Sequence, residues 1–345
     1  VRERADVTAD GTRGTRRHKR NGEEPMVPRA DFDSYYGRPV IKAPGWSARD
    51  IAGYFFLGGL AGAGSVLAAG AQLTRRPATA KAMKISSLAA ITLSYAALVN
   101  DLGRPGRFVN MLRVFKPTSP MSVGSWLLSG YGPCAGAAAF CAVTGRLPGA
   151  GAAATAGAAV TGPAVAAYTA VLAADTAVPA WHGAHRELPY VFVASAAAAA
   201  SGMALVLAPV RENGPARCAA VLAAAGEMSA MSAAERSLGM VAETYREGRA
   251  GRLLRAARVL TTAGAAGAAV FGRQSRTVAV GSGAMLLAGS ACTRFGIFAA
   301  GIASAEDPVY TVRPQRMAKE RTAQERAAGE REARRGAAVV QDGGG

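Results

Sequence analysis

Three observations predict an all-α, polytopic membrane fold for this sequence. Apolar stretches recur eight times, with rough limits 50–73, 83–100, 122–143, 157–180, 189–209, 217–240, 256–272 and 277–303. Most approach the ~20 residues that a helix needs to cross the hydrocarbon core. Charged residues are concentrated at the ends of the chain and in the loops between the stretches. The stretches are built largely of Ala and Gly, as in FFLGGLAGAGSVLAAGA and SAAAAASGMALVLA. Small residues let helix backbones approach closely in lipid, where packing replaces the hydrophobic drive. The mean hydropathy of +0.14 averages charged ends with an apolar middle and understates the membrane character.

Residues 1–33 are polar and without periodicity, and are expected to form a disordered basic extension. Their TRRHKR run has no apolar segment behind it and does not read as a signal peptide. Residues 34–303 form the membrane domain, and 304–345 form a charged, Arg-rich tail. Pro179 is expected to end or bend the fourth helix. Eight crossings would place both termini on one side. That side collects the basic N-terminal region, the 101–120 loop, YREGRAGRLLR and the tail, so the positive-inside rule places both termini in the cytoplasm.

The formal net charge is +17, yet the basic residues cluster in tails and loops without an aromatic-basic recognition module. A nucleic-acid binder is therefore not indicated. Cys134, Cys141, Cys218 and Cys292 all fall in apolar runs and form no CxxC pair. That spacing supplies neither an iron–sulfur cluster nor a secreted disulfide framework. Beyond His18, the histidines are His182 and His185. They sit one turn apart and cannot grip opposite faces of one haem, so no haem and no metal site are expected.

Several intramembrane residues are candidates for chemistry. Tyr168, Asp175 and His182 follow one another at intervals of seven, which sets them along one face of a continuous helix. A charged acid is costly in lipid, so Asp175 is expected to face the bundle interior, either as a functional group or as a neutral acid bonded across helices. The sixth stretch carries Glu227, Met231 and Glu235 on one face, with Glu235 beside Arg236. The eighth carries Arg294, which needs a partner such as Glu227 or Asp175. Between the second and third stretches lies DLGRPGRFVNMLRVFKPTSPMSVGSW. There Asp101 closes the second helix, Arg104 and Arg107 follow, and Ser122 or Ser125 is expected to cap the third.

At this loop the sequence resembles the NrfD/PsrC family, the membrane subunits of polysulfide-reductase-type complexes. The resemblance rests on SYYGRPVIKAPGW, YFFLGGLAGAGS, the 101–126 loop, YTAVLAADTAVPAWHGAHRELPYVF and GIASAEDPVYTVRPQR, and covers roughly residues 34–316. It implies eight helices in two four-helix bundles and no cofactor of the chain's own. It implies electron exchange between a quinone pool, menaquinone or ubiquinone, and a docked ferredoxin-like iron–sulfur subunit. That subunit would relay to a molybdenum- or tungsten-type catalytic subunit in a bacterial cell membrane. By the same resemblance Asp175 and His182 become candidate proton acceptors, and Tyr168, His185 and Asp101 candidate quinone contacts. Arg104 and Arg107 become candidate docking residues. Two other readings stay open: a proton-coupled secondary transporter, and an anchor that only tethers a catalytic complex.

Overall fold

The computed structural model describes residues 40–41, 44–102, 110–317, 319–320, 322 and 324. The regular structure of the described residues is helical, with no strand among them. Eight long helices form it: α1 (Ala48–Leu73), α2 (Pro77–Leu102), α3 (Pro120–Thr144), α4 (Pro148–Ala174), α5 (Leu188–Leu207), α6 (Gly214–Leu238), α7 (Gly248–Phe271) and α8 (Arg276–Glu306). Their starts are written in the local sequence. Ser47, Ser119 and Ser275 each accept a hydrogen bond from the backbone N–H three residues on and cap α1, α3 and α8. Proline at the first or second position opens α3, α4, α5 and α6, where no donor is lost. Ser119, not Ser122 or Ser125, caps α3; the Ser122 hydroxyl instead donates to Val114 O and accepts from Lys116 N, folding the end of the loop.

Helix forms in all eight expected stretches, with the fourth broken before Pro179, but the crossing count divides. Six helices, α1 to α5 and α8, are long and apolar enough to cross a membrane, which makes this a multi-pass membrane protein. α6 and α7 fall short of that measure. Arg217, Glu227, Glu235 and Arg236 interrupt the first, and Arg249, Arg252, Arg255 and Arg258 the second.

Three- or four-residue connections join α1 to α2, α3 to α4 and α7 to α8. α1 packs on α2, α4, α5 and α8; α3 packs on α2 and α4; α5 and α7 both pack on α6 and α8. Two glycine pairs set the tightest of these contacts. A Cβ on Gly62 of α1 would strike the carbonyl of Gly162 on α4, and the reverse holds equally. Between α5 and α8, a Cβ on Gly202 would lie 2.6 Å from Gly283 O. Backbone touches backbone at both places, the geometry that small residues permit in lipid. We call the end carrying the start of α1 the first end. The other, carrying the α1–α2 turn, is the opposite end.

At the opposite end, side chains satisfy exposed helix termini. Arg217 donates to Ala268 O and Ala269 O at the end of α7. Arg276 donates to Leu205 O and Ala208 O at the end of α5. Cations belong there because the last carbonyls carry partial negative charge. The first turn of α2 receives the converse treatment. The Glu212 carboxylate, in the α5–α6 loop, accepts from Thr79 N at 2.8 Å and Thr79 Oγ1 at 3.0 Å.

Gly162→Ala is expected to destabilise the folded protein by about 1–3 kcal/mol, the usual cost of overpacking. A lower melting temperature in detergent, with Gly157→Ala as a milder comparison facing only Cys134, checks this. Burial pushes the Glu212 carboxyl up, but the Thr79 and Ala78 hydrogen bonds and Arg211 outweigh it and hold it below the usual carboxylate range. Its stabilisation is thus present above the ordinary glutamate value and is lost as pH falls through the depressed folded value. Glu212→Gln should cost about 1 kcal/mol at pH 7 and abolish that segment of the pH–stability curve.

Candidate functional site

The fourth stretch does not run as one helix. α4 stops at Ala174, Asp175 forms its C-cap, and Val178 is extended ahead of a separate turn, Pro179–His182. Proline disfavours a helical residue before it, so the break precedes Pro179 rather than following it. Tyr168, Asp175 and His182 therefore do not line one continuous face. Asp175 is exposed at the first end, not buried in the bundle. The desolvation expected of it does not arise there.

What fixes the new turn is Trp181, which is fully buried. Its indole Nε1 donates to Ile297 O at 2.8 Å, and its ring stacks on Trp46 at 5.7 Å and tilts against Phe298. Gly301 on α8 leaves the space the indole fills. The neighbouring Ala180 is held on both sides, its N–H donating to Ser304 Oγ and its carbonyl accepting from Tyr245 OH.

This anchoring presents His182 at the surface of the first end. Its Nδ1 lies 3.0 Å from Ala174 O, the C-terminal carbonyl of α4. A carbonyl only accepts, so Nδ1 carries the proton and a neutral ring keeps its lone pair on Nε2. His185 repeats the pattern, with Nδ1 2.9 Å from His182 O, and the two rings stack at 5.6 Å.

His182 borders a cleft of about 410 Å³ with Pro179, Leu238, Val241, Tyr310 and Thr311. Thr311 is buried there with no partner for its hydroxyl. Tyr310 donates to Glu243 Oε2 at 3.2 Å. Burial first, then the Glu243 carboxylate, pushes the Tyr310 phenol up to about 12, so it remains a protonated donor.

Asp101 lies at the same end. It accepts from Ser47 N at 3.2 Å, while Asn100 donates to Asp50 at 3.1 Å; together they clip the end of α2 to the start of α1. Tyr168 lies about 9 Å deeper along α4 by helical rise. Its hydroxyl pairs with that of Tyr54 on α1, and Gly124 of α3 makes room for its ring. Arg104 and Arg107 lie outside the described residues, as do residues 1–33 and 325–345.

A second polar group lies between α5, α6, α7 and α8. Glu227 is 1% and Arg294 0% exposed. The expected pairing of Arg294 with Glu227 or Asp175 does not form at ion-pair distance; the ion pairs found among the described residues both use Glu235. Arg294 instead sits 3.9 Å over the Phe192 ring and donates to Phe192 O at 2.5 Å. Glu227 accepts from Thr293 Oγ1 at 2.5 Å. Glu227 Oε2, Arg294 Nε and Nη1, and Thr261 Oγ1 have no hydrogen-bond partner. Glu235 pairs with Arg246 at 3.0 Å and Arg258 at 3.2 Å, rather than with its neighbour Arg236.

Sequence reasoning missed Trp181, Tyr54, Phe192, Thr293 and Tyr310. An aromatic beside Pro179 and a hydroxyl beside Arg294 were the available signals. Among the described residues, no cluster of three or more His, Cys, Asp or Glu side chains is arranged to hold a metal ion. The family model described as polysulphide reductase, NrfD, matches residues 46–213. That range runs from Trp46 through α1–α5 to the loop before α6, and includes Asp101, Tyr168, Asp175, His182 and His185. No curated protein matches the chain.

Replacing Arg294 by Leu alone is expected to cost about 1–3 kcal/mol, because the Phe192 carbonyl loses its charged donor and Glu227 loses a nearby cation. The Glu227→Leu, Arg294→Leu double variant should recover part of that loss in a thermal-unfolding cycle.

Proposed function

We propose that this NrfD-family membrane protein is the quinone-reactive subunit of a respiratory oxidoreductase. In this reading it exchanges electrons between menaquinone or ubiquinone and a ferredoxin-like iron–sulfur subunit. That subunit relays to a molybdenum- or tungsten-type catalytic subunit. All eight long helices cross the membrane as two four-helix bundles, with both termini cytoplasmic. The chain carries no cofactor of its own, and quinone is its exchangeable substrate.

The supporting observation is His182. A quinol gives up two electrons and two protons. The electrons leave for the docked subunit, and the protons need an acceptor within hydrogen-bond reach. His182 offers Nε2 beside a cleft at the first end, with its ring held by Ala174 O. Histidine is the side chain whose ordinary chemistry exchanges protons near neutrality. Asp175, exposed seven residues earlier at the same end, receives protons on their way to water. Tyr54 and Tyr168 supply hydroxyl donors for a quinone oxygen deeper between α1 and α4. His185 and Asp101 complete the polar rim, and Arg104 and Arg107 in the following loop meet the partner.

His182→Gln keeps a side-chain amide but cannot take a proton. It should lower oxidation of a quinol analogue at least ~10-fold in the co-purified complex, the low side of what a positioned base supplies. Asp175→Asn, on the water side, should have a smaller effect that grows when buffer is dilute. Normal turnover by an intact His182→Gln complex would sink the assignment. A complex that assembles but oxidises no quinol even as wild type would favour the anchor reading.

A further inference from the structure

A basin of about 510 Å³ opens at the opposite end, between the end of α1, the start of α2 and the end of α3. Arg75, Arg76, Lys81 and Lys84 line it together with Gln72, and no carboxylate does. Ala80 and Ala142 form part of its wall.

Four cations around one basin repel one another unless an anion sits among them. The described residues do not supply that anion. Among the described residues, the loops and helix ends at this end carry one carboxylate, Glu212, and its Oε2 is held by Thr79. Arg146, Arg211 and Arg273 add further positive charge there.

The basin is also built rather than incidental. Arg75 adopts φ 55°, a left-handed conformation uncommon for a residue with a side chain. Strained backbone of this kind is retained where the surroundings enforce it, and often where something binds. Lys84 is half-buried, and its Nζ donates to Gln72 Oε1 at 2.5 Å, which leaves two further donors. On its inner side Lys84 borders a small cavity with Ser87, whose buried hydroxyl has no partner. Around the basin, Leu73, Ile85, Phe140 and Val143 expose apolar side chains.

Cations at a helix end, flanked by exposed apolar side chains of membrane helices, match a molecule that is anionic at one end and hydrocarbon at the other. We propose that this basin binds the headgroup phosphate of an anionic phospholipid. Arg75, Arg76, Lys81 and Lys84 bind the phosphate, and the acyl chains lie along the apolar surface beside Phe140 and Val143. Clusters of Lys and Arg at a membrane boundary attract anionic lipid by this electrostatic term. Arginine adds a fork that matches two phosphate oxygens at once.

The test uses full-length protein purified in a non-ionic detergent, titrated with phosphatidylglycerol or phosphatidylcholine and read by native mass spectrometry. Wild type should retain phosphatidylglycerol in preference to phosphatidylcholine. The Arg76→Gln, Lys81→Gln, Lys84→Gln variant should bind phosphatidylglycerol at least about tenfold more weakly, with phosphatidylcholine unchanged. Arg146→Gln with Arg273→Gln, at the same end but outside the basin, should leave retention as in wild type. If the triple variant does not fold, Lys81→Gln alone removes one exposed charge and should weaken binding about fivefold. Equal retention by the basin variant, or an equal loss from the Arg146 and Arg273 pair, overturns the proposal. Displacement of the lipid by millimolar inorganic phosphate would show that the site takes free phosphate instead, and would overturn the lipid assignment.

Discussion

Where α1 crosses α4, the backbone of Gly62 lies against the backbone of Gly162, with no room for a methyl group on either. The rest of the structure depends on that contact. Lipid tails are as apolar as leucine, so helices in a bilayer gain nothing by hiding apolar side chains from it. Close approach, dispersion contacts and buried hydrogen bonds must hold the bundle instead. α1 is shaped for this. Gly58 faces Ser94 of α2, Gly59 meets Ala196 of α5 and the Arg294 guanidinium of α8, and Gly64 meets Ser87 of α2. One helix of small residues thus lets four others close around it. The Gly202–Gly283 contact repeats the device between α5 and α8.

Tight packing in the middle leaves bulk for the ends. The large buried side chains Trp181, Tyr54 and Phe55 lie towards the first end. Trp181 converts that packing into position for polar groups. Its indole is fixed by a backbone carbonyl, by Trp46 and by Phe298, and the following residue is His182. A histidine held by its own Nδ1 and by a buried neighbour keeps little rotational freedom.

The eight apolar stretches were readable because length and apolar content suffice to mark a helix in lipid. The starts of α1, α3, α5, α6 and α8 came within about three residues, as at Ser47 and Ser119, whereas α2 begins at Pro77 rather than 83 and α7 at Gly248 rather than 256. The fourth failed at both ends. It begins at Pro148, through a glycine- and alanine-rich segment too weakly apolar to register, and stops at Ala174. Heptad spacing carried Tyr168, Asp175 and His182 onto one face only while the helix was taken to be continuous. The restriction that proline places on the residue before it was visible in the sequence, but where the chain left the helix depended on Trp181 docking against α8. Arg294 was legible as a buried cation, and its position beside Glu227 is real. Its partner was not legible, because a backbone carbonyl and an aromatic face leave no charge in the sequence to search for.

The two ends of the protein answer charge in different ways. At the first end, Glu235 meets Arg246 and Arg258 directly. At the opposite end, Arg217 and Arg276 answer the partial charges of helix termini, which the fold itself supplies. Glu212 serves the start of α2 in the same manner. Such contacts satisfy backbone groups that lipid cannot solvate. They absorb few whole charges, however, because a helix terminus presents only about half an elementary charge. Among the described residues, the opposite end is therefore left with more cation than its helix termini and its single acid, Glu212, neutralise. A membrane surface is where that imbalance is tolerated, since anionic headgroups supply the missing charge at the depth where these helices end.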